Sequence, residues 1–277
     1  MFDLDAFAYA SVVLLIIAIV LWVASRIKND VGIVDSFWSL LILAAGISFF
    51  VTESYFDNTA ITERHVLVLF LLSAWAIRLA AHISWRNWGQ EEDSRYRTIR
   101  QNNQPNFELK SLYIVFLLQA FLALIVALPL MSVFSTDTAI STLDYFAFAL
   151  WTAGMFFEVV GDWQLARFKS DKSNQGKVLD TGVWRYTRHP NYFGEFCIWW
   201  AFFLFAVASG YWWSLISPLL MSVLLLKVSG VSLLESTIAE RRPDYLDYRK
   251  STNAFFPWFR KKGSPDSKPA SYLKDET

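Results

Sequence analysis

Asp35, Arg78, His82, Glu158, Asp162 and Glu195 lie within or beside stretches otherwise apolar enough to be buried in lipid. A charge at the centre of a membrane helix costs about 2.5 to 3.5 kcal/mol on insertion scales, so each is a candidate for chemistry or for a pathway. Arg78 and His82 are one helical turn apart, as are Glu158 and Asp162, so each pair occupies one helix face. This spacing predicts two polar stripes able to face one another. The alternative is a buried Arg78–carboxylate pair that only locks helix packing.

The densest polar segment is Asp180-Thr-Gly-Val-Trp-Arg-Tyr-Thr-Arg-His-Pro-Asn-Tyr-Phe-Gly-Glu195. Pro190 suits the first turn of a helix, where its missing N–H is not needed, and the amides after it remain free. Such a helix start binds anions, and Arg185, Arg188 and His189 would add charge-assisted bonds to a phosphate or carboxylate. Asn191, Glu195 and Trp199 share the next face, and the indole could stack on a planar ring. The competing reading is a basic run that holds the helix to lipid headgroups.

A second polar cluster holds Glu235, Glu240, Arg241, Arg242, Pro243, Asp244, Tyr245, Tyr248 and Arg249, followed by Phe255-Phe-Pro-Trp258. It reads either as a site or as an amphipathic interfacial helix with aromatic anchors.

Positioning these groups requires membrane helices. Hydrophobic residues make up 55% of the chain and charged ones 18%, a balance rare in soluble proteins. Uncharged or nearly uncharged stretches run over residues 6–25, 33–52, 65–85, 111–136 and 143–163, each matching the roughly 20 residues that cross a bilayer. Phe196 to Leu226 is too long for one span and breaks near Ser209-Gly210-Tyr211, which predicts a hairpin of two helices. Of the 25 Lys and Arg residues, all but Arg64 and Arg78 fall in alternate connections or in the tail. By the positive-inside rule this gives about seven transmembrane helices, N-terminus outside and C-terminus cytosolic.

The expected fold is therefore an all-α polytopic membrane protein, with one domain over residues 1–262, a cofactor cavity on its cytosolic side and a disordered tail over 263–277. Asp3 and Asp5, with no basic residues before the first span, argue against a cleaved signal peptide. The lone Cys197 excludes an internal disulfide and a thiolate metal cluster, and no metal ligands are expected. Zero net charge and the lack of basic patches interleaved with aromatics argue against nucleic acid, leaving membrane lipids and a lipid-soluble small molecule as partners.

The Arg-His-Pro-Asn-Tyr-Phe-Gly-Glu segment, a following glutamate and the Tyr-x-x-Tyr-Arg-Lys … Phe-Phe-Pro-Trp tail resemble the superfamily of steroid 5α-reductases, sterol reductases and isoprenylcysteine carboxyl methyltransferases. Within it the chain is most similar to the bacterial-type steroid 5α-reductase-like proteins of unknown function. Val34-Asp35-Ser-Phe-Trp38, Arg78 to His82 and the Glu92 to Tyr96 loop extend that resemblance over nearly the whole chain.

The resemblance implies NADPH-dependent reduction of a carbon–carbon double bond conjugated to a ketone. It places Asp35 near the ketone, kept protonated by burial so that it can donate, and puts Trp75 where the reductases carry a tyrosine. His82 then takes over the donor role, or the substrate is not a steroid. It carries Asn191 and Glu195 to the nicotinamide ribose, and Arg188, Tyr192, Tyr245, Tyr248 and Arg249 to the ribose and phosphates. Arg78, Asp162, Arg185, His189, Trp199 and Glu235 complete the expected cofactor contacts. No Gly-x-Gly-x-x-Gly or P-loop occurs, so side chains would hold the dinucleotide. A methyltransferase using S-adenosylmethionine and a non-catalytic transport or lipid-binding protein are the alternatives. The membrane would be a bacterial plasma membrane or the endoplasmic reticulum.

Overall fold

The computed structural model describes residues 2–57, 59–228 and 245–260, and the regular structure among them is entirely helical. The helices are α1 (Leu4–Lys28), α2 (Ile33–Val51, extended by a π-helical turn Thr52–Phe56), α3 (Glu63–Asn87), α4 (Ser94–Asn102), α5 (Phe107–Ser111), α6 (Leu118–Val126), α7 (Leu128–Phe134), α8 (Thr142–Ser170), α9 (Pro190–Ala208), α10 (Ile216–Val223) and α11 (Tyr245–Ser251). A π-helical turn at Leu112–Leu117 joins α5 to α6. Six continuous stretches are long and apolar enough to cross a membrane: Leu4–Lys28, Ile33–Phe56, Glu63–Asn87, Phe107–Val126, Thr142–Ser170 and Pro190–Ala208.

Two of the boundaries differ from those expected. The stretch expected as one span over 111–136 ends at Val126, because Pro129 lacks an N–H and its ring would clash with the carbonyl one turn earlier. The helix that carries the uncharged stretch from Phe196 begins at Pro190, as expected of a proline in a first turn, so Asn191 and Glu195 lie inside it. Where the seventh span is expected, the described residues form a shorter apolar helix, Trp213–Lys227. The hairpin break falls where expected, at Gly210, whose φ of 90° is costly for any residue with a side chain.

The chain divides into two compact units, unit 1 being Met1–Trp151 with Trp199–Met221 and unit 2 being Thr152–Ile198 with Ser222–Thr277. In unit 1, α2 packs between α1, α3 and α6, burying Leu41, Ile42, Ala45 and Phe49. Ser39 donates to the Ala76 carbonyl at 2.9 Å, tying α2 to α3. Val12, Ile16, Val20 and Val23 of α1 remain exposed, as expected of a lipid-facing stripe.

Arg64, the basic residue that the loop pattern left over, is 1% exposed and forms the fully buried ion pair of unit 1 with Asp144. Its Nε and Nη2 each donate to the carboxylate at 2.7 Å, and the same guanidinium reaches Ala139 O at 2.7 Å, Thr138 O at 3.1 Å and the Thr138 hydroxyl. Asp144 is further held by the Ser141 amide and hydroxyl. Every donor and acceptor is satisfied locally, which is what allows two charges to be buried.

In unit 2, α8 and α9 cross where Gly154 meets Gly194. A Cβ on Gly194 would lie 2.5 Å from Gly154 O and 2.7 Å from Glu158 N, so only glycine permits the approach.

Removing one partner of the Arg64–Asp144 pair strands a buried charge. Arg64→Ala should therefore lower stability by about 3 to 5 kcal/mol. Thermal unfolding in detergent checks this, and the Arg64→Leu/Asp144→Leu double variant should be more stable than either single change.

Candidate functional site

Unit 1 carries one polar constellation that the fold assembles from distant parts of the chain. The connection between α3 and α4 folds back onto the N-terminal end of α2. Glu92 accepts from the Val31 amide at 3.0 Å and is gripped by Arg100 at 2.8 and 3.1 Å. Asp93 caps α4 by accepting from the Arg95 amide at 2.8 Å. This leaves Arg95 and Tyr96 on the first turn of α4, aimed at Asp35 in the first turn of α2. The Tyr96 hydroxyl donates to Asp35 Oδ1 at 2.6 Å, and Arg95 Nη2 donates to Asp35 Oδ2 at 2.9 Å. The same guanidinium pairs with Asp93 and lies 5.6 Å from the centre of the Tyr96 ring.

The electrostatics follow from this geometry. Tyr96 is 6% exposed, and burial, with the Asp35 carboxylate beside it, pushes its phenol well above the ordinary value. Burial opposes ionisation of Asp93, but its bonds from Arg95 win and hold it below the usual carboxylate range. Arg95 is likewise held charged by Asp93 and Asp35 against the cost of its burial.

Asp35, expected to be buried, is partly open to solvent. Its side chain is 22% exposed, and its two oxygens are taken by Tyr96 and Arg95. Trp75, at the place where a tyrosine was expected, is fully buried and packs edge-to-face on Trp199 with ring centres 5.2 Å apart. Trp199 is thus part of the core and is not presented to a planar ligand. Arg78 and His82 lie on one face of α3, both half-buried, with the imidazole 6.1 Å from the Trp85 ring.

Unit 2 gathers the Arg-His-Pro-Asn segment and the α11 tail. Arg188 is 7% exposed, and its Nη1 donates to the carbonyls of Arg249 and Thr252 while its amide donates to Asn253 O at 3.0 Å. Thr187 donates to Phe255 O at 2.7 Å, and the Tyr248 hydroxyl donates to the Trp184 carbonyl. Arg188 and Tyr248, expected at the ribose and phosphates, thus brace the tail against the loop. The Tyr248 phenol is pushed up, chiefly by burial. Tyr245 is buried against Tyr248.

The remaining members lie around the start of α9. His189 stacks on Tyr192 with ring planes 3° apart, and Asn191 donates to Asp162 at 3.1 Å. Glu195 and Asp162 are each 7% exposed. Arg185 and Arg249 are exposed. Glu235 and the expected tail over 263–277 lie outside the described residues.

Arg95 and Tyr96 were missed as site residues, although the Glu92-Asp-x-Arg-Tyr96 pattern signalled them. Only the fold shows that this loop returns to α2.

The architecture defines the class as a helical polytopic membrane protein with its polar groups gathered at helix ends. The chain belongs to the DUF1295 family of proteins of unknown function, whose pattern matches residues 21–252. It is similar to an uncharacterized protein of Schizosaccharomyces pombe, 27% identical over 286 residues, covering 92% of this chain and 81% of the yeast protein. No solved structure matches.

A phenol whose folded value lies above the unfolded one contributes stability that is complete below about pH 10 and is lost as pH rises through the folded value. Tyr96→Phe should lower stability at neutral pH and flatten its decline in the alkaline range, which melting curves from neutral to strongly alkaline pH will show.

Proposed function

We propose that the protein is a membrane-embedded reductase that uses NADPH to saturate a carbon–carbon double bond conjugated to a ketone in a lipid-soluble, steroid-like substrate. The orientation that goes with this reading puts the Glu92–Tyr96 loop and the Arg-His-Pro-Asn segment in the cytosol, where the connections rich in Lys and Arg are retained and where NADPH is found.

The observation that carries the reading is the Tyr96 hydroxyl on Asp35 at 2.6 Å. Reduction of an enone needs a group that meets the negative charge developing on the ketone oxygen. The sequence places Trp75 where such a tyrosine was expected, and an indole cannot transfer a proton. Tyr96 supplies the phenol from a different element.

Bound NADPH would supply the hydride. The family resemblance implies that Arg185 and His189 would meet its phosphates, and Asn191, Tyr192, Glu195 and Arg249 its ribose hydroxyls and amide. Arg188, Tyr248 and Trp199 do not serve as ligands in this reading, because their polar or planar groups are engaged within the protein. As the double bond is reduced at the β-carbon, its electron pair ends on the carbonyl oxygen. Tyr96 then turns its O–H from Asp35 to that oxygen and gives up its proton, and the enol so formed tautomerises to the saturated ketone by moving that proton to the α-carbon through water. Asp35 holds the ring side of the loop in register, and the Arg95 guanidinium offsets the charge left on the phenol.

Titrating NADPH and S-adenosylmethionine against detergent-purified protein and following thermal stabilisation tests the class. Saturable stabilisation by NADPH alone is expected. Stabilisation by S-adenosylmethionine alone would move the assignment to methyl transfer, and silence to both in folded protein would favour a non-catalytic role. With an active enone in hand, Tyr96→Phe should lower turnover about a hundredfold while leaving NADPH stabilisation unchanged.

A further inference from the structure

The opposite end of α2 from Asp35 carries a second group of acids that the reductase reading does not use. Asp3 precedes α1, Glu53 lies in the π-helical turn that ends α2, and Asp57 follows that turn. Because α1 starts and α2 finishes at the same end of the pair, the three carboxylates meet: one oxygen from each lies within 4.8 Å of the other two. The π-helical turn is the local cause. It widens the end of α2 so that Glu53 is directed inwards, and the chain then closes back with the Thr59 amide on Glu53 O at 2.9 Å. Insertions of this kind into helices recur at functional positions.

Three acids in proximity are common on surfaces, but Glu53 is not on the surface. It is 4% exposed, and among the described residues its Oε1 accepts no hydrogen bond. None of the three carboxylates forms an ion pair with a lysine, arginine or histidine among those residues. Asp3 uses Oδ1 to cap α1 through the Ala6 amide at 2.8 Å, which leaves its second oxygen for the cluster. Asp57 is exposed, so the group opens to solvent on one side. A buried carboxylate without a donor, facing two further carboxylates, must be neutralised, and either a proton or a cation that completes the group can do it.

We propose that Asp3, Glu53 and Asp57 form a binding site for a hard divalent cation, calcium or magnesium. Carboxylate oxygens are the ligands these ions prefer. The open side at Asp57 leaves positions for water, which both ions retain when a site supplies few protein oxygens. The bound ion would clamp the start of α1 to the end of α2, so its role is to stabilise unit 1 rather than to take part in a reaction at Asp35.

The test uses the full chain in detergent, freed of divalent ions by chelation, then titrated with calcium chloride and separately with magnesium chloride at constant ionic strength maintained with potassium chloride. A saturable rise in Tm of a few degrees with at least one of the two ions is expected, and potassium alone should give none. Asp57→Asn should weaken the response by about tenfold in midpoint concentration, and Glu53→Gln should abolish it. Glu53→Gln also removes the stranded charge, so in chelator this variant should melt no lower than the parent, which separates loss of the site from failure to fold. Asp5→Asn, an exposed acid of the same first turn, should leave the response intact. A parent protein that responds to neither ion, or an equal response in Glu53→Gln, would overturn the proposal. The readout involves neither NADPH nor turnover, so its failure is independent of the reductase reading.

Discussion

The hydrogen-bonded pair of Asp35 and Tyr96 is the interaction on which the candidate site depends. An acid in the first turn of an apolar helix must find donors, and α2 offers none of its own there. The donors come from sixty residues away, because Asp93 caps α4 and so fixes Arg95 and Tyr96 on the first turn facing α2. Once the loop is docked, Glu92 has the Val31 amide and Arg100 as partners, and the whole connection becomes ordered by charge pairing rather than by apolar burial. Each link is modest alone, since partly exposed ion pairs contribute little, but together they set the position of one phenol.

Unit 2 follows the same rule with different materials. The polar ends of α9 and α11 are satisfied by one another through Arg188, Thr187 and Tyr248, while the contact of Gly154 with Gly194 fixes how closely α8 and α9 approach. Residues that look like ligands in a motif can therefore be structural. Arg188 neutralises the carbonyl end of a short helix, a role that helix ends commonly give to arginine. His189 stacks on Tyr192 and Asn191 bonds Asp162 at the same helix start.

The spans were legible in the sequence because the bilayer imposes a length that composition alone reveals, and the break at Gly210 was legible because no other residue type is at ease there. The pairing of Arg64 was not. Loop charge counting treats it as an outlier, whereas the fold buries it against Asp144, eighty residues further on. Asp35 was legible as a charge within a span, but its partner was not, since a return of the Glu92–Tyr96 loop to α2 leaves no periodic trace. Trp199 was placed by helix spacing and Arg188 by its neighbours in the chain, and neither signal shows that Trp199 packs on Trp75 or that Arg188 bonds the carbonyls of Arg249 and Thr252. The acids of Asp3, Glu53 and Asp57 had no signature at all, because their meeting depends on one widened turn at the end of α2.

A double-mutant cycle between Asp35→Asn and Tyr96→Phe, read as unfolding free energy of the purified protein, tests the central interaction most directly. Two side chains sharing a short, partly buried hydrogen bond should show a coupling of about 1 kcal/mol or more, the double variant being less destabilised than the sum of the singles. Strictly additive effects would mean that Tyr96 and Asp35 do not act as a unit, and the phenol would lose its place in the proposed site.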